Sequence, residues 1–137
     1  LRVFAIHHPG HDHAHVYINP QILDTFEKEK VYPQVYTDEG ERDDFYEGCL
    51  SIPGIYGTVK RWMEIRVRYQ ALSTSKVSED PTLEVIEETI DGLTAIVFQH
   101  ELDHLDGTLF IDRIKEEDGQ VFKDSGDGLK EIDISSL

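Results

Sequence analysis

Two short runs of residues contain side chains that could act together in catalysis. Residues 99–104 read Gln-His-Glu-Leu-Asp-His, an H-E-x-x-H pattern, and residues 47–51 read Glu-Gly-Cys-Leu-Ser and include the only cysteine of the 137 residues. On a helix, His100 and His104 would lie on one face with Glu101 beside them. Two neutral imidazoles and the Cys49 thiolate would leave the fourth position of a tetrahedral ion open, so these residues predict a metal site suited to hydrolysis.

Simpler explanations compete with this prediction. A chain rich in His and Glu can contain H-E-x-x-H by chance, and both histidines could then be ordinary core residues. A single buried cysteine is often only a small apolar residue. The site therefore depends on the fold, which must bring Cys49 to the helix.

The elements that must position these residues can be predicted from hydrophobic periodicity. Asp91 is a plausible N-cap and Gly107 a plausible end for a helix. Within it, one stripe is formed at spacings of three and four by Leu93, Ile96, Val97, His100 and His104. We expect this stripe, and both histidines with it, to face inward.

Four segments have the composition and alternation of strands. The clearest alternates apolar and polar residues from Arg61 to Leu72, and the strand at 82–89 is expected to expose its glutamates. The others are Leu1–Ile6 and Val16–Ile18, the latter halted by Asn19-Pro20. Turns are predicted at Pro9-Gly10 and Ser73–Pro81. The pattern predicts an α+β fold of mainly antiparallel strands around one central metal-binding helix.

Length, charge and cysteine content limit the class of protein. The length suits one domain, and a formal charge of −15 disfavours nucleic acid and anionic membranes as partners. One cysteine forms no internal disulfide, and no apolar stretch reaches the length of a membrane span. With no signal segment recognised, the expected location is the cytoplasm or an organelle matrix.

The two runs resemble peptide deformylase motifs. That family has an E-G-C-L-S motif and a Q-H-E-x-D-H-L motif, and residues 47–51 and 99–105 match both without a mismatch. The resemblance extends from Leu1 to about Arg113, which we treat as a deformylase-like domain, with residues 114–137 as an acidic tail. The predicted fold is therefore peptide deformylase-like.

The resemblance implies hydrolysis of the N-formyl group of nascent peptides that begin with formyl-methionine, with release of formate. It implies one divalent ion on Cys49, His100 and His104, with Fe(II) favoured and Zn(II), Ni(II) or Co(II) compatible. Glu101 would transfer protons and the Leu50 N–H would stabilise the oxyanion. The substrate-binding candidates are Phe45, Gly48, Leu93, Ile96 and Val97. A transient ribosome contact would have to avoid the acidic tail.

The family's Gly-rich first motif, G-x-G-L-A-A-x-Q, has no counterpart in the sequence. We therefore expect a segment to be missing ahead of Leu1, and an alternative is an inactive or split deformylase-like metal-binding domain. A second alternative is an H-E-x-x-H zinc peptidase. Such enzymes need a third ligand after the helix, and Glu116, Glu117 and Glu131 lie in a polar segment expected to lack helical context.

The remaining polar residues near the motifs have weaker predictions. Glu47 and Gln99 match the motifs but receive only supporting roles. Asp103 and Asp106 are expected on the solvated surface of the helix, and the alternative is that they orient the imidazoles. Five histidines between positions 7 and 15 are expected to form a solvent loop without fixed geometry that binds stray Zn or Ni weakly.

Overall fold

A computed structural model describes residues 1–8, 10–73 and 81–137. The predicted turns at Pro9-Gly10 and Ser73–Pro81 include residues outside this part. In chain order, the elements are β1 (Val3–Ile6), β2 (His15–Asp24), β3 (Gln34–Tyr36), β4 (Arg42–Asp44), β5 (Glu47–Cys49), β6 (Ile52–Gly57), β7 (Glu64–Ser73), β8 (Thr82–Asp91), α1 (Gly92–Leu105), α2 (Phe110–Glu117), β9 (Val121–Asp124), β10 (Leu129–Ile132) and a 3-10 helix, Ile134–Ser136. They form two compact units, which are described separately: unit 1 (residues 1–29 and 62–106) and unit 2 (residues 30–61 and 107–137).

Unit 1 is an antiparallel sheet in the order β1-β2-β7-β8, with helix α1 against it. The alternation predicted for β7 is confirmed, since Ile65, Val67 and Tyr69 are fully buried. These side chains share one face because successive residues of a strand point to opposite sides. Together with Phe4, Tyr17 and Phe98 they form the core of the unit.

Strand β2 does not stop at Asn19-Pro20, so that prediction is wrong. Its pairing to β7 shifts register between Ile18 and Gln21, and Asn19 takes a left-handed φ of 50°. An irregularity of this kind leaves a residue out of the ladder, which lets the strand pass a proline that cannot donate. The strand then continues to Asp24.

Strand β8 does not expose all of its glutamates. Ile86 packs against the core and Ile90 is buried, and Glu88 lies between them at the same strand parity. A period of two therefore directs Glu88 to the core side of the sheet. The prediction of exposed glutamates is right for Glu84 and Glu87 but wrong for Glu88, which is half-buried.

Helix α1 begins and ends where predicted, but its buried face is different. Asp91 is the N-cap residue, without a side-chain capping bond, and Gly107 follows the helix with φ 78°. Ala95 and Phe98 form the face against the core of unit 1. Leu93 is 52% exposed, so its assignment to an inward stripe is wrong. Leu93 is in the first turn of α1, and side chains at the end of a helix can extend beyond the core into solvent.

Unit 2 has an antiparallel sheet in the order β10-β9-β6-β5, a β3–β4 hairpin and helix α2. Ile114 of α2 is fully buried and packs where a Cβ on Gly57 would overlap it. Glu116 and Glu117 end α2 and Glu131 lies on β10, so the expectation of no helical context for the first two is wrong. The sequence prediction missed α2 because its apolar residues are few and its polar residues many.

The described elements confirm an α+β fold with antiparallel pairing. Every strand pair among the described residues is antiparallel. Searching the described residues found no helix with the length and apolar character needed to cross a bilayer.

Candidate metal centre

The two histidines of α1 face one another. His104 Nε2 lies 3.1 Å from His100 Nε2, and their ring centres are 4.8 Å apart with the planes at 73°. Two imidazoles bound to one tetrahedral ion at about 2.0–2.1 Å have their ligating nitrogens roughly 3.3 Å apart. The pair therefore fits two adjacent ligands of a single ion. The two side chains lie on one face of the helix, as the H-E-x-x-H spacing predicts, and both are half-buried.

Gln99, the residue before His100, is bonded to the chain that leads into β7. Its Oε1 accepts from the Trp62 N–H at 3.1 Å, and its Nε2 donates to Trp62 O at 2.7 Å and to Ala95 O at 2.9 Å. The amide thus satisfies two backbone groups outside the helix while it is itself buried. This bonding fixes the helical turn from which His100 projects.

The two aspartates of the motif differ in environment. Asp106 is exposed and forms an ion pair with Arg2, as predicted for a surface acid. Asp103 is buried, so the expectation that it lies on the solvated surface is wrong. Three residues C-terminal to His100, it lies on the less exposed side of α1. Glu101 and His104 are half-buried.

Cys49 ends the edge strand of unit 2. Strand β5 pairs with β6, and the register shifts between Gly48 and Cys49 before Cys49 pairs with Ile52. The thiol is not in a disulfide and is half-buried. The next residue, Leu50, begins the turn to β6 with its side chain 99% exposed. These residues line an open cavity of about 390 Å³ together with Tyr56 and its neighbours.

Glu47, the first residue of the cysteine motif, is held by Arg61. The guanidinium donates from Nε to Oε2 at 2.8 Å and from Nη2 to Oε1 at 2.8 Å, and both side chains are buried. Arg61 N and O also bond with Val31 at 2.8 and 3.0 Å. The pair thus connects β5 to the residues that precede β7. The sequence did not identify Arg61 as the partner of Glu47.

The predicted substrate-binding residues have varied environments. Ile96 is buried, while Val97 packs in part against the core of unit 1 and Leu93 is exposed. In unit 2, Phe45 is half-buried, and Tyr56 lies where a Cβ on Gly48 would come within 2.6 Å of its ring. A glycine is therefore required at position 48 unless Tyr56 moves.

Comparison with known proteins extends the likeness over most of the chain. The profile of the Polypeptide deformylase family matches residues 1–120. The peptide deformylase of Novosphingobium aromaticivorans is 41% identical over 106 residues, which cover 77% of this chain and 45% of the relative. That of Desulforudis audaxviator is 40% identical over 83 residues, which cover 61% of this chain and 48% of the relative. The chain spans about half the length of the curated relatives it matches.

Solved structures agree with the sequence comparison. A variant of peptide deformylase 1B from Arabidopsis thaliana superposes with a TM-score of 0.61 at 31% identity, covering 85% of this chain and 54% of that one. A peptide deformylase from Legionella pneumophila superposes with a TM-score of 0.57 at 30% identity, covering 82% of this chain and 54% of that one. The antiparallel α+β fold and the H-E-x-x-H motif on α1 place the chain among the α+β proteins that carry this motif on a helix. Within that class, the chain belongs to the peptide deformylase family.

Proposed function

We propose that this chain removes the N-formyl group from peptides that begin with formyl-methionine and releases formate. The observation on which the proposal depends is the facing pair of His100 and His104 imidazoles, 3.1 Å apart, with Glu101 in the same helical turn. The family membership of residues 1–120 supports the choice of substrate. An N-formyl peptide carries an amide carbonyl that a metal-assisted hydrolase can attack.

We further propose that Cys49, His100 and His104 bind one divalent ion. A thiol sulfur and two imidazole nitrogens suit Fe(II), Zn(II), Co(II) or Ni(II), and the family resemblance favours Fe(II). When bound, the ion supplies Lewis acidity and lowers the pKa of a coordinated water. The residues of the chain then have to bind the peptide and transfer protons.

Glu101 is the proposed proton carrier. A carboxylate beside the attacking water accepts its proton and delivers it to the amine nitrogen that leaves as the C–N bond breaks. The Leu50 backbone N–H is the proposed donor to the oxygen that gains negative charge, since backbone donors aimed at such an oxygen stabilise it without reorganisation. Leu50 lies in the turn after Cys49, where its side chain faces solvent.

The edge of β5 is the proposed docking strand for the peptide. β5 ends the described sheet order β10-β9-β6-β5, so an extended peptide could add beside Gly48 through main-chain hydrogen bonds. Phe45, Leu93, Ile96 and Val97 are the proposed apolar contacts for the methionine side chain. Leu93 is the most exposed of the four and has the most surface available to a ligand.

A formate-release assay with a formyl-Met peptide tests the proposal, using protein loaded anaerobically with Fe(II). Glu101→Gln should reduce kcat about 10²- to 10⁴-fold while the metal content stays unchanged. Glu84→Gln, an exposed acid on β8, is the matched control and should retain full activity. Equal activity of the Glu101→Gln and wild-type proteins would contradict the assigned role.

An alternative proposal is that the residues of this chain form a deformylase-like metal-binding domain that turns over only with a separate segment. The same assay, repeated with an added peptide that carries a G-x-G-L-A-A-x-Q run, distinguishes the cases. Formate release only with the added peptide supports a split enzyme, and release without it supports activity of the chain alone.

The zinc-peptidase alternative differs in its third ligand. Cys49→Ala should remove the ion from a deformylase, whereas a peptidase that uses a downstream ligand would keep it. Metal analysis of this variant therefore separates the two classes.

We also propose a cytoplasmic or organelle-matrix location and a transient ribosome contact away from the acidic residues 114–137. Salt-dependent co-sedimentation with ribosomes that requires residues 114–137 would contradict the proposed position of the ribosome contact.

A further inference from the structure

The four Asp-Gly sequences of the chain differ in how the fold holds them. They are Asp91-Gly92, Asp106-Gly107, Asp118-Gly119 and Asp127-Gly128. In such a pair the main-chain nitrogen of the glycine can attack the aspartate side chain, because a glycine has no Cβ to obstruct the approach. The peptide unit between the two residues has to rotate for this reaction, so contacts that hold the unit oppose it.

Two of the four pairs have their glycine nitrogen in a main-chain hydrogen bond. The Gly92 N–H donates to Met63 O at 3.0 Å, and the Gly119 N–H donates to Ile114 O at 2.9 Å. Each of these bonds must break before the nitrogen can attack. Gly119 is also closely packed, since a Cβ on it would lie 2.8 Å from Thr58 O.

In a third pair, Asp106 is held by both its main chain and its side chain. It caps the end of α1, where its N–H donates to Leu102 O at 3.2 Å and to Asp103 O at 3.0 Å. Its carboxylate forms an ion pair with Arg2. Both contacts oppose the rotation that would bring the side chain to the Gly107 nitrogen.

The fourth pair lies in the loop between β9 and β10. Asp124 and Leu129 pair across the two strands, and the residues between them are all exposed. Asp124 Oδ1 accepts from the Gly126 N–H at 2.9 Å. Within the described part of the chain, nothing hydrogen-bonds to the Gly128 N–H or to the Asp127 carboxylate. Exposed loop tips of this kind rearrange at little cost in free energy.

We propose that Asp127-Gly128 is a site of spontaneous modification, at which aspartate converts to isoaspartate through a cyclic imide. The Gly128 nitrogen attacks Asp127 Cγ and forms an N–C bond, while one oxygen of the neutral carboxylic acid leaves as water with the acid proton and the amide proton. Water then adds to one of the two imide carbonyls. Breaking the new N–Cγ bond restores aspartate, whereas breaking the original peptide bond leaves the main chain running through Cγ. Water is the only other reactant, and the mass of the protein is unchanged.

Isoaspartate at this position would change both the loop and its chemistry. The main chain of the loop gains one carbon, and the former main-chain carbonyl of Asp127 becomes a free α-carboxylate. Isoaspartyl methyltransferases that use S-adenosylmethionine esterify this group, so they are the class of enzyme that the modified chain fits. The longer loop should also loosen β10, because its first residue pairs at the base of the loop and β9 is its only strand neighbour in the described sheet.

The test incubates the full chain in mildly acidic buffer, either folded or unfolded in urea. Isoaspartate is then quantified by methyltransferase labelling and located by peptide mapping. In the folded chain, Asp127 should contain at least roughly fivefold more isoaspartate than Asp91 or Asp118, because the glycine hydrogen bonds of the other two pairs must first break. In urea, all four aspartates should react at similar rates, since the fold no longer distinguishes them.

Asp127→Glu should remove most of the isoaspartate from the folded chain, because the longer side chain would have to form a six-membered ring. Asp91→Glu is the matched control at a held pair, and it should leave the isoaspartate content as in the wild type. Equal modification of the four aspartates in the folded chain would overturn the proposal, as would the same distribution in folded and unfolded protein. Neither result bears on formate release, which tests the proposed function independently.

Discussion

Glu47 and Arg61 form a buried ion pair with two hydrogen bonds, each 2.8 Å long. The two residues are 14 positions apart, and their side chains are 4% and 2% exposed. Glu47 belongs to the cysteine motif, yet its contacts are structural. The pair attaches β5, and hence the backbone on both sides of Cys49, to the segment before β7.

Glu47→Gln should destabilise the protein by about 3–5 kcal/mol, because it leaves the buried Arg61 charge without its counter-ion. Urea unfolding of the variant measures this as a lower midpoint with an unchanged m value. Glu64→Gln is the matched control, since Glu64 pairs with Lys28 at 3.4 Å on the surface and its loss should cost less than about 1 kcal/mol. Similar losses in both variants would contradict a special role for the buried pair.

Gln99→Met should cost about 1–3 kcal/mol, because it leaves the Trp62 N–H and carbonyl without their side-chain partners. The same variant should lower metal affinity, since the turn that holds His100 loses its attachment. Thermal unfolding and metal dialysis measure the two effects. For comparison, Gln70→Met removes an amide that bonds Asn19 at the surface and should change stability by no more than about 0.5 kcal/mol.

Phe98→Ala should destabilise unit 1 by about 3–5 kcal/mol through the cavity it leaves. The Phe98 ring is fully buried and makes edge contacts with Phe4 at 5.1 Å and Tyr17 at 5.4 Å. Leu93→Ala on the same helix should leave stability nearly unchanged, while raising KM for a formyl-Met peptide if Leu93 contacts the methionine. A large stability loss for Leu93→Ala would contradict its observed exposure.

Stability should fall as the pH rises from about 10 to about 12. Burial, reinforced by the nearby Glu88 charge, raises the pKa of Tyr17 to about 12, above its value near 10 in the unfolded chain. In this window the unfolded state releases a proton that the folded state keeps, so unfolding becomes easier with rising pH. Burial also raises the pKa of Tyr69.

Tyr17→Phe has no phenol to titrate and should therefore show a shallower alkaline loss, measured as Tm against pH. Tyr36→Phe is a suitable control, because Tyr36 is 72% exposed and should leave the slope unchanged. A steeper slope in Tyr17→Phe than in the wild type would contradict the assignment.

Much of the chemistry could be predicted from local sequence. Residues 47–51 and 99–104 identify the family because each is a contiguous run whose residue types meet strict demands of ligation and proton transfer. The limits of α1 and the buried face of β7 followed from capping and from a period of two. Local rules are sufficient for such features, since the interacting residues are at most a few positions apart.

Other features were decided only by the tertiary structure. Glu47 meets Arg61, and Gln99 meets Trp62 across 37 positions, through strand register and helix packing that no local pattern contains. The inward direction of Glu88 likewise became visible once Ile86 and Ile90 were found on the core side. The sequence by itself determined which groups could bind a metal and move a proton. Only the folded chain decided which partners hold those groups, because burial and distance depend on residues remote in sequence.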